Sequence, residues 1–377
     1  MAKIIIIQRI LTAYRKDIFD ELKKYSDFII LHSENNSGIR QVTSSYSKKI
    51  KSFKYYSKDN TVFLNVFGYI IREKPEIVIH EFTMGIISLF PTFLVAKLLG
   101  SKFVLWGHGY NRRKGFSPEN SILDKIRLFL MRKSDAIILY GQEGKKQLAG
   151  YLKSEKMFVA YNSLNTRRLT AIRDKFEKEG KIAIKNRIGF RFKYNIIFIG
   201  RILKYKQPDL LIEMFYSYLF EKYNDTLGIH FVGEGDYLIN LKKRVQKLGL
   251  ERNIIFHGAI YDDLKVGELL YCSDLMIMPG LLGLSINHAF NFNCPVVTFE
   301  QTGHGPEIEY LVHKVTGFII REHSLREMAS TIDYYLQNKT MQVSMKKNIR
   351  YMVDNVCSLD NFIKGFQDTI KYVSRNG

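Results

Sequence analysis

Cysteine is scarce: Cys272, Cys294 and Cys357 are the only three among 377 residues, and none stands in C-x-x-C spacing. That excludes a disulfide framework and a thiolate metal site, and it predicts a reducing compartment, the cytoplasm. Long apolar runs are missing as well, and a membrane-spanning helix needs about 20 consecutive apolar residues. The longest uncharged run, 275–299, is broken by Pro279, Pro295, Asn287, His288, Asn291 and Asn293, and the run 82–96 is interrupted by Pro91. The isoleucines of Met1–Arg9 give way to Gln8 and Arg9, too soon for a signal-peptide core, so the start reads as a first strand. No fixed-period repeat or low-complexity tract is present, which excludes a solenoid. There is no G-x-S-x-G elbow, no Walker loop and no His/Cys cluster for zinc.

Acid is in deficit. Lys and Arg number 57 against 37 Asp and Glu, a formal charge of +20. Such a chain is attracted to phosphates, polyanions or an anionic membrane surface. Residues 1–165 hold 27 basic and 14 acidic side chains and the remainder 30 and 23, so the excess lies mainly in the first part. The cations are dispersed and no aromatic RNP pattern accompanies them, so a nucleic-acid partner is not expected.

Short β-branched runs, each followed by a helical pattern, recur through both halves, the signature of parallel α/β units. Strands are expected at 3–7, 28–31, 76–80, 102–106, 136–139 and 157–160, then at 195–199, 228–232, 253–257, 274–278, 294–298 and 317–320. Thr166 to Phe190 is dense in Lys, Arg and Glu and reads as a solvated helical connector. The expected domains are therefore 1–165 and 191–377, with the last helix allowed to cross back to the first. In open parallel sheets ligands bind beyond the carboxyl ends of strands. There the second half places Gly200-Arg201, Gly233-Glu234-Gly235, Gly258, Pro279-Gly280 and Gly283. Glycines at such ends let phosphates approach main-chain amides, and the expected ligand is a nucleotide in an interdomain cleft.

These residues resemble the retaining glycosyltransferases of family 4. FIGRILKYKQPDLLIEMF (Phe198 to Phe215) is similar to the family's G-R-x-x-x-x-K segment, with Gly200, Arg201 and Lys206 in the matching places. FVGEGD (231–236), FHGAI (256–260) and CSDLMIMPG (272–280) follow in the family's order. The resemblance implies the α/β GT-B fold, two Rossmann-like domains with parallel sheets facing a cleft. The N-terminal domain would take the acceptor and the C-terminal one the nucleotide sugar. It also implies transfer with retention to a glycan or lipid-linked acceptor in cell-surface polysaccharide synthesis, by a cytoplasmic protein, peripheral on the inner face of the plasma membrane. The chain departs from the family at PGLLGLSINHAFNFNCPVV (279–297), where the usual pair of glutamates eight apart is replaced by Gly280 and His288. The form PG-x-x-GL-x-x-x-H followed by Pro306-Glu307 resembles a subgroup of bacterial cell-surface polysaccharide transferases. The missing glutamate leaves a second reading open, a catalytically silent sugar-nucleotide-binding subunit.

A departing nucleoside diphosphate carries two developing charges. Arg201, a fixed fork of donors, and Lys206, a movable point charge, can converge on it from one loop. Taken alone, the pair is equally readable as a solvated surface. The donor set implied by the resemblance adds Gly200, Gly233, Glu234, Ile260, Gly283, Leu284, His288 and Glu307. Gly283 and Leu284 offer helix-start amides. His288 is open to two readings, a ribose contact or a core histidine satisfied by a backbone carbonyl. Glu307 is open to a hydroxyl contact or to helix capping. His108, in WGHG (106–109), is expected beyond a strand end and more exposed than buried; the resemblance points it at the sugar as a third catalytic residue, and a loop-bracing histidine is the other reading. Arg15, with Gln8 and Arg9, is assigned to the acceptor side.

Arg112, Arg113 and Lys114 are the candidates for acceptor-phosphate or lipid contact. The basic helical pattern 121–133 that follows is readable as an amphipathic helix on an anionic leaflet, but the expectation is that it packs its stripe of Ile122, Leu123, Ile126 and Leu130 on the sheet, as α/β helices do. D-x-D is absent, so the ligand pair of metal-bridged diphosphate sites is missing and neither metal nor cofactor is expected.

Overall fold

The computed structural model describes residues 3–34, 41–54 and 61–375. The chain divides into two compact units, Met1–Asn165 with Leu359–Gly377, and Thr166–Ser358.

The first unit is built on strands β1 (Ile4–Ile10), β2 (Phe28–Ser33), β3 (Ser47–Lys49), β6 (Ile77–Phe82), β7 (Lys102–Gly107), β8 (Ala136–Leu139) and β9 (Met157–Val159), with a separate hairpin of β4 (Ser52–Lys54) and β5 (Val62–Leu64). The large sheet has the order β3-β2-β1-β6-β7-β8-β9, and its pairs run parallel. Strand side chains alternate between faces, and a parallel sheet covered on both faces needs apolar residues on each. β1 meets that demand with isoleucines: Ile4 and Ile6 enter one core layer, with Trp106, and Ile5 and Ile7 enter the other. The Trp106 layer is closed by helix Leu359–Arg375, whose Phe362 and Phe366 rings lie 6.0 and 4.9 Å from the indole. Gly365 lets that helix close on the sheet edge, since a Cβ there would sit 2.8 Å from Ala160 Cα.

The second unit has the parallel order β12-β11-β10-β13-β14-β15, with β10 (Tyr194–Ile199), β11 (Leu227–Val232), β12 (Ile254–Gly258), β13 (Leu275–Ile277), β14 (Val296–Phe299) and β15 (Gly317–Ile320). It is a doubly wound sheet whose order reverses between β10 and β13.

Segment 166–190 is not a solvated connector. It forms helices Thr166–Glu179 and Lys181–Arg187, which bury Leu169, Phe176 and Ile184 within the second unit. The Phe176 ring packs 5.7 Å from Tyr271 and 5.9 Å from Phe292. The high charge of the segment belongs to the outer face of an amphipathic helix.

Helix Ile122–Lys133 also differs from expectation. It buries Leu130, Met131 and Asp124, whereas Ile122, Leu123 and Ile126 point outward.

Candidate functional site

The order of the second sheet reverses between β10 and β13, and the loop after β13 meets the turn after β10 there. Gly200 and Arg201 follow β10 directly. A single 3₁₀ turn, Lys204–Lys206, carries the lysine, and Gln207 closes it with φ 51° before helix Pro208–Met214. Proline at the first helical position needs no amide partner and disfavours right-handed geometry in the residue before it, so the turn must end at Gln207. Gly233 lies where the loops after β10 and β11 cross, since a Cβ on it would sit 2.9 Å from the Gly200 carbonyl carbon.

The charges of Arg201 and Glu307 both act on the Lys206 amine. Arg201 is exposed and its Nη2 donates to the Tyr205 hydroxyl at 3.4 Å. Lys206 is half-buried and its Nζ donates to the Leu281 carbonyl. Burial first, then the Arg201 charge, lower the Lys206 amine to about 8, with the Glu307 carboxylate pulling the other way. Glu307, only 2% exposed, stands in the 3₁₀ turn Pro306–Tyr310. Its carboxyl carbon lies 3.2 Å from where a Cβ of Gly305 would be, and Gly283 Cα lies 3.1 Å from the same point.

The short loop 279–283 is fixed from both sides. Gly280 N donates to Lys206 O at 2.9 Å, Gln301 Nε2 to Pro279 O at 3.0 Å, and Gly305 N to Leu282 O at 2.7 Å. Buried His304 accepts from Leu282 N at Nδ1 (2.9 Å), and its Nε2 lies 2.9 Å from Phe299 O, a pairing that assigns the proton to Nε2. Sequence reasoning missed His304. Its one signal is the string GHGPE (303–307), where a histidine sits between two glycines ahead of the Pro306-Glu307 pair.

Of the other expected donor residues, Gly283 lies beside Glu307, and the Glu234 carbonyl accepts from Ile202 N, next to Arg201, at 2.8 Å. Glu234 is exposed on the loop after β11, and Ile260 is half-buried beyond β12. Gly283 and Leu284 precede helix Ser285–Asn291. His288 in that helix meets neither a backbone carbonyl nor the cationic pair; its Nε2 lies 3.4 Å from Asp263 Oδ1. Burial would raise the Asp263 carboxyl, but His288 and Arg168 outweigh it and hold it below its usual value.

In the first unit His108 follows β7 and is half-buried rather than exposed, its ring 5.0 Å from that of Tyr140. Burial, then the Arg112 and Arg15 charges, lower it to about 4, so the imidazole is neutral. Arg15 does not reach the surface as a membrane-facing cation would: its guanidinium is buried 4.7 Å over the Trp106 ring and 5.5 Å over Tyr140. Arg9 faces Glu81, which accepts its amide at 2.7 Å, and Gln8 is buried. Arg113 and Lys114 are exposed on a turn held by Asn111 Oδ1, which accepts both amides.

Among the described residues no group of three or more His, Cys, Asp and Glu is placed to hold a metal ion. Two cations and a buried carboxylate at a strand-order reversal suit a diphosphate and a neighbouring hydroxyl.

Residues 182–352, within the second unit, match the family described as Glycosyl transferases group 1. Over the whole chain the fold is GT-B. It is similar to Anabaena HepE in complex with UDP (TM-score 0.72, 16% identity, 98% of this chain and 100% of that one). A glycosyltransferase from Rickettsia africae gives TM-score 0.74 at 15% identity over 100% and 99% of the two chains. Sucrose-phosphate synthase from Thermosynechococcus elongatus gives 0.70 at 10% identity over 100% of each. No curated protein matches the sequence.

Proposed function

We propose that the protein is a retaining glycosyltransferase of family 4 that moves a sugar from a nucleoside diphosphate sugar, of UDP or GDP type, to a glycan or lipid-linked acceptor of cell-surface polysaccharide synthesis. The reading rests above all on Arg201 and Lys206 in the loop after β10, at the strand-order reversal, with the buried Glu307 carboxylate acting on the same amine. Arg201 and Lys206 take the charge that grows on the diphosphate as the anomeric C–O bond breaks. In this mechanism the transition state is an ion pair and the departing β-phosphate oxygen takes the acceptor proton, so no separate carboxylate base is needed. Glu307 is suited to a ribose or sugar hydroxyl, and neutral His108 to a hydroxyl of the transferred sugar or to phosphate. Arg112, Arg113 and Lys114 are assigned to an acceptor phosphate. The HepE structures in complex with UDP and with UDP-glucose support the donor class. The cytoplasm is the proposed compartment.

A thermal-shift panel of UDP-, GDP-, dTDP- and CMP-sugars tests the reading, because a bound donor raises the melting temperature. Transfer or slow donor hydrolysis with the stabilising sugar should then persist in excess EDTA. Loss restored only by Mg²⁺ or Mn²⁺ counts against the proposal. The second reading, a silent binding subunit, is favoured by one observation: Gly280 leaves no room for the carboxylate its relatives carry. Donor binding without transfer or hydrolysis decides for it.

A further inference from the structure

The loop 279–283 reads PGLLG and carries no polar side chain, so hydrogen bonds can fix its course only through its main chain. One peptide unit in it serves two partners. The Leu281 carbonyl accepts from Lys206 Nζ, and the Leu282 amide, the other end of the same peptide bond, donates to His304 Nδ1 at 2.9 Å. That peptide is trans. A trans peptide is planar, with C=O and N–H pointing in opposite directions, so whatever aims the N–H also aims the C=O. His304 therefore faces Lys206 across one rigid plane.

The imidazole is itself held. It is buried, and its Nε2 donates at 2.9 Å to the carbonyl of Phe299, the last residue of β14. With the proton on Nε2, Nδ1 is the acceptor that the Leu282 amide requires. The next residue, Gly305, donates its amide to the Leu282 carbonyl at 2.7 Å. A run of hydrogen bonds thus leads from the end of a core strand, through His304 and the 281–282 peptide, to the Lys206 ammonium, and each bond polarises the next. Two other contacts, Gly280 N to Lys206 O and Leu281 N to Tyr205 O, fix the backbone of the lysine turn but not the place of its ammonium. Without the imidazole, the Leu282 amide would lose a buried acceptor, and rotating the peptide to find another would swing the carbonyl away from the lysine.

We propose that His304 is a positioning residue, which aims the Leu281 carbonyl and through it holds the Lys206 ammonium in place for the diphosphate. The consequence for catalysis rests on the transferase reading; the placement of the amine rests on the hydrogen bonds alone.

Three variants test it. The Oδ1 of His304→Asn falls near the place of Nδ1 and keeps the Leu282 contact, whereas the longer amide of His304→Gln reaches the place of Nε2 and keeps only the Phe299 contact. His304→Ala keeps neither. With the stabilising donor, kcat should fall roughly tenfold to a hundredfold in His304→Ala and His304→Gln, the effect of a misplaced reacting group. His304→Asn should restore most of it. A second readout needs no turnover. Nuclear magnetic resonance of isotope-labelled dimethyl-lysine, assigned through Lys206→Arg, should show the intact protein's Lys206 titrating at about 8, under burial and the Arg201 charge and against the pull of Glu307. In His304→Ala and His304→Gln the released ammonium reaches water and should titrate higher. In His304→Asn it should stay. If no donor is turned over but the amine moves in this order, the proposal stands and the transferase reading fails. Rates that follow melting temperature across the three variants overturn it, as does His304→Asn no faster than His304→Ala, or an amine that titrates alike in all three. Each of these leaves His304 only a bracing role.

Discussion

The amide of Gly280 donates to the carbonyl of Lys206 at 2.9 Å, and a Cβ on that glycine would lie 2.5 Å from Lys206 Cα. The loop after β13 and the turn after β10 thus share one narrow crossing. Any side chain at Gly280 must push the Lys206 turn aside. Gly280→Ala should therefore destabilise by about 1–3 kcal/mol, as overpacking does. Turnover should fall at saturating donor, because the lysine is displaced. Gly280→Glu, which restores the common family residue, should be worse than alanine and not a gain. Melting curves alongside steady-state rates check this, and a Gly280→Glu enzyme of normal stability and higher turnover would refute it.

Arg201→Ala and Lys206→Ala should each reduce kcat by ~10²-fold or more with the fold intact, the effect of removing a donor aimed at transition-state charge. Both side chains leave the strand end on one loop, so their effects should be less than additive. Rates within a few-fold of wild type for both would remove the diphosphate assignment.

The titration of Lys206 gives a pH prediction with a definite sign. An ordinary lysine keeps its proton to about 10.4, whereas burial and Arg201 bring this amine down to about 8. kcat/KM, which follows the free enzyme, should fall as pH rises through about 8 because the cation is lost. Arg201→Lys keeps the opposing charge and should leave that limb near its place, whereas Arg201→Ala should move it upward. Glu307→Gln removes the one opposing influence and should move it downward. His108 is already neutral at pH values well above its lowered pKa of about 4, so no acid limb should appear near the ordinary histidine value.

The motif alone leaves His288 and Glu307 each open to a ligand contact or a structural role. With its Nε2 on Asp263, His288 ties helix Ser285–Asn291 to helix Asp263–Cys272. His288→Ala should lower the melting temperature and leave the nucleoside diphosphate Kd unchanged. Glu307→Gln should weaken binding by about 0.5–1.5 kcal/mol, the loss of a hydrogen bond to ribose or sugar. Calorimetric titration with melting curves separates the two roles. Weakened nucleotide binding in His288→Ala at full stability would return the ribose contact to the histidine.

What the sequence revealed depends on how local the determining physics is. The isoleucine run of β1 and its counterparts signal buried parallel strands by composition alone. β3 (SKK) carries no such signal, because an edge strand is kept short and charged. Helix Thr166–Glu179 hides Leu169 and Phe176 among eight charged residues, so its charge masked its packing. Helix Ile122–Lys133 has apolar residues on more than one face, and periodicity cannot say which face meets the sheet. Arg201 and Lys206 are five positions apart on one loop, close enough for spacing to join them. The Gly280 crossing, the His304 clasp and the His288–Asp263 contact join segments distant in sequence, and each had to be seen folded.

Trp106 is packed against Phe362 and Phe366, side chains from the last helix of the chain. On a ribosome the first 165 residues emerge with that face of their sheet uncovered, and all of the second unit must be made before the cover arrives. Early segments would therefore wait until helix Leu359–Arg375 is made, exposing apolar surface to chaperones meanwhile. The sole tryptophan lies at that seam, so its fluorescence reports the moment when helix Leu359–Arg375 seats on the first sheet.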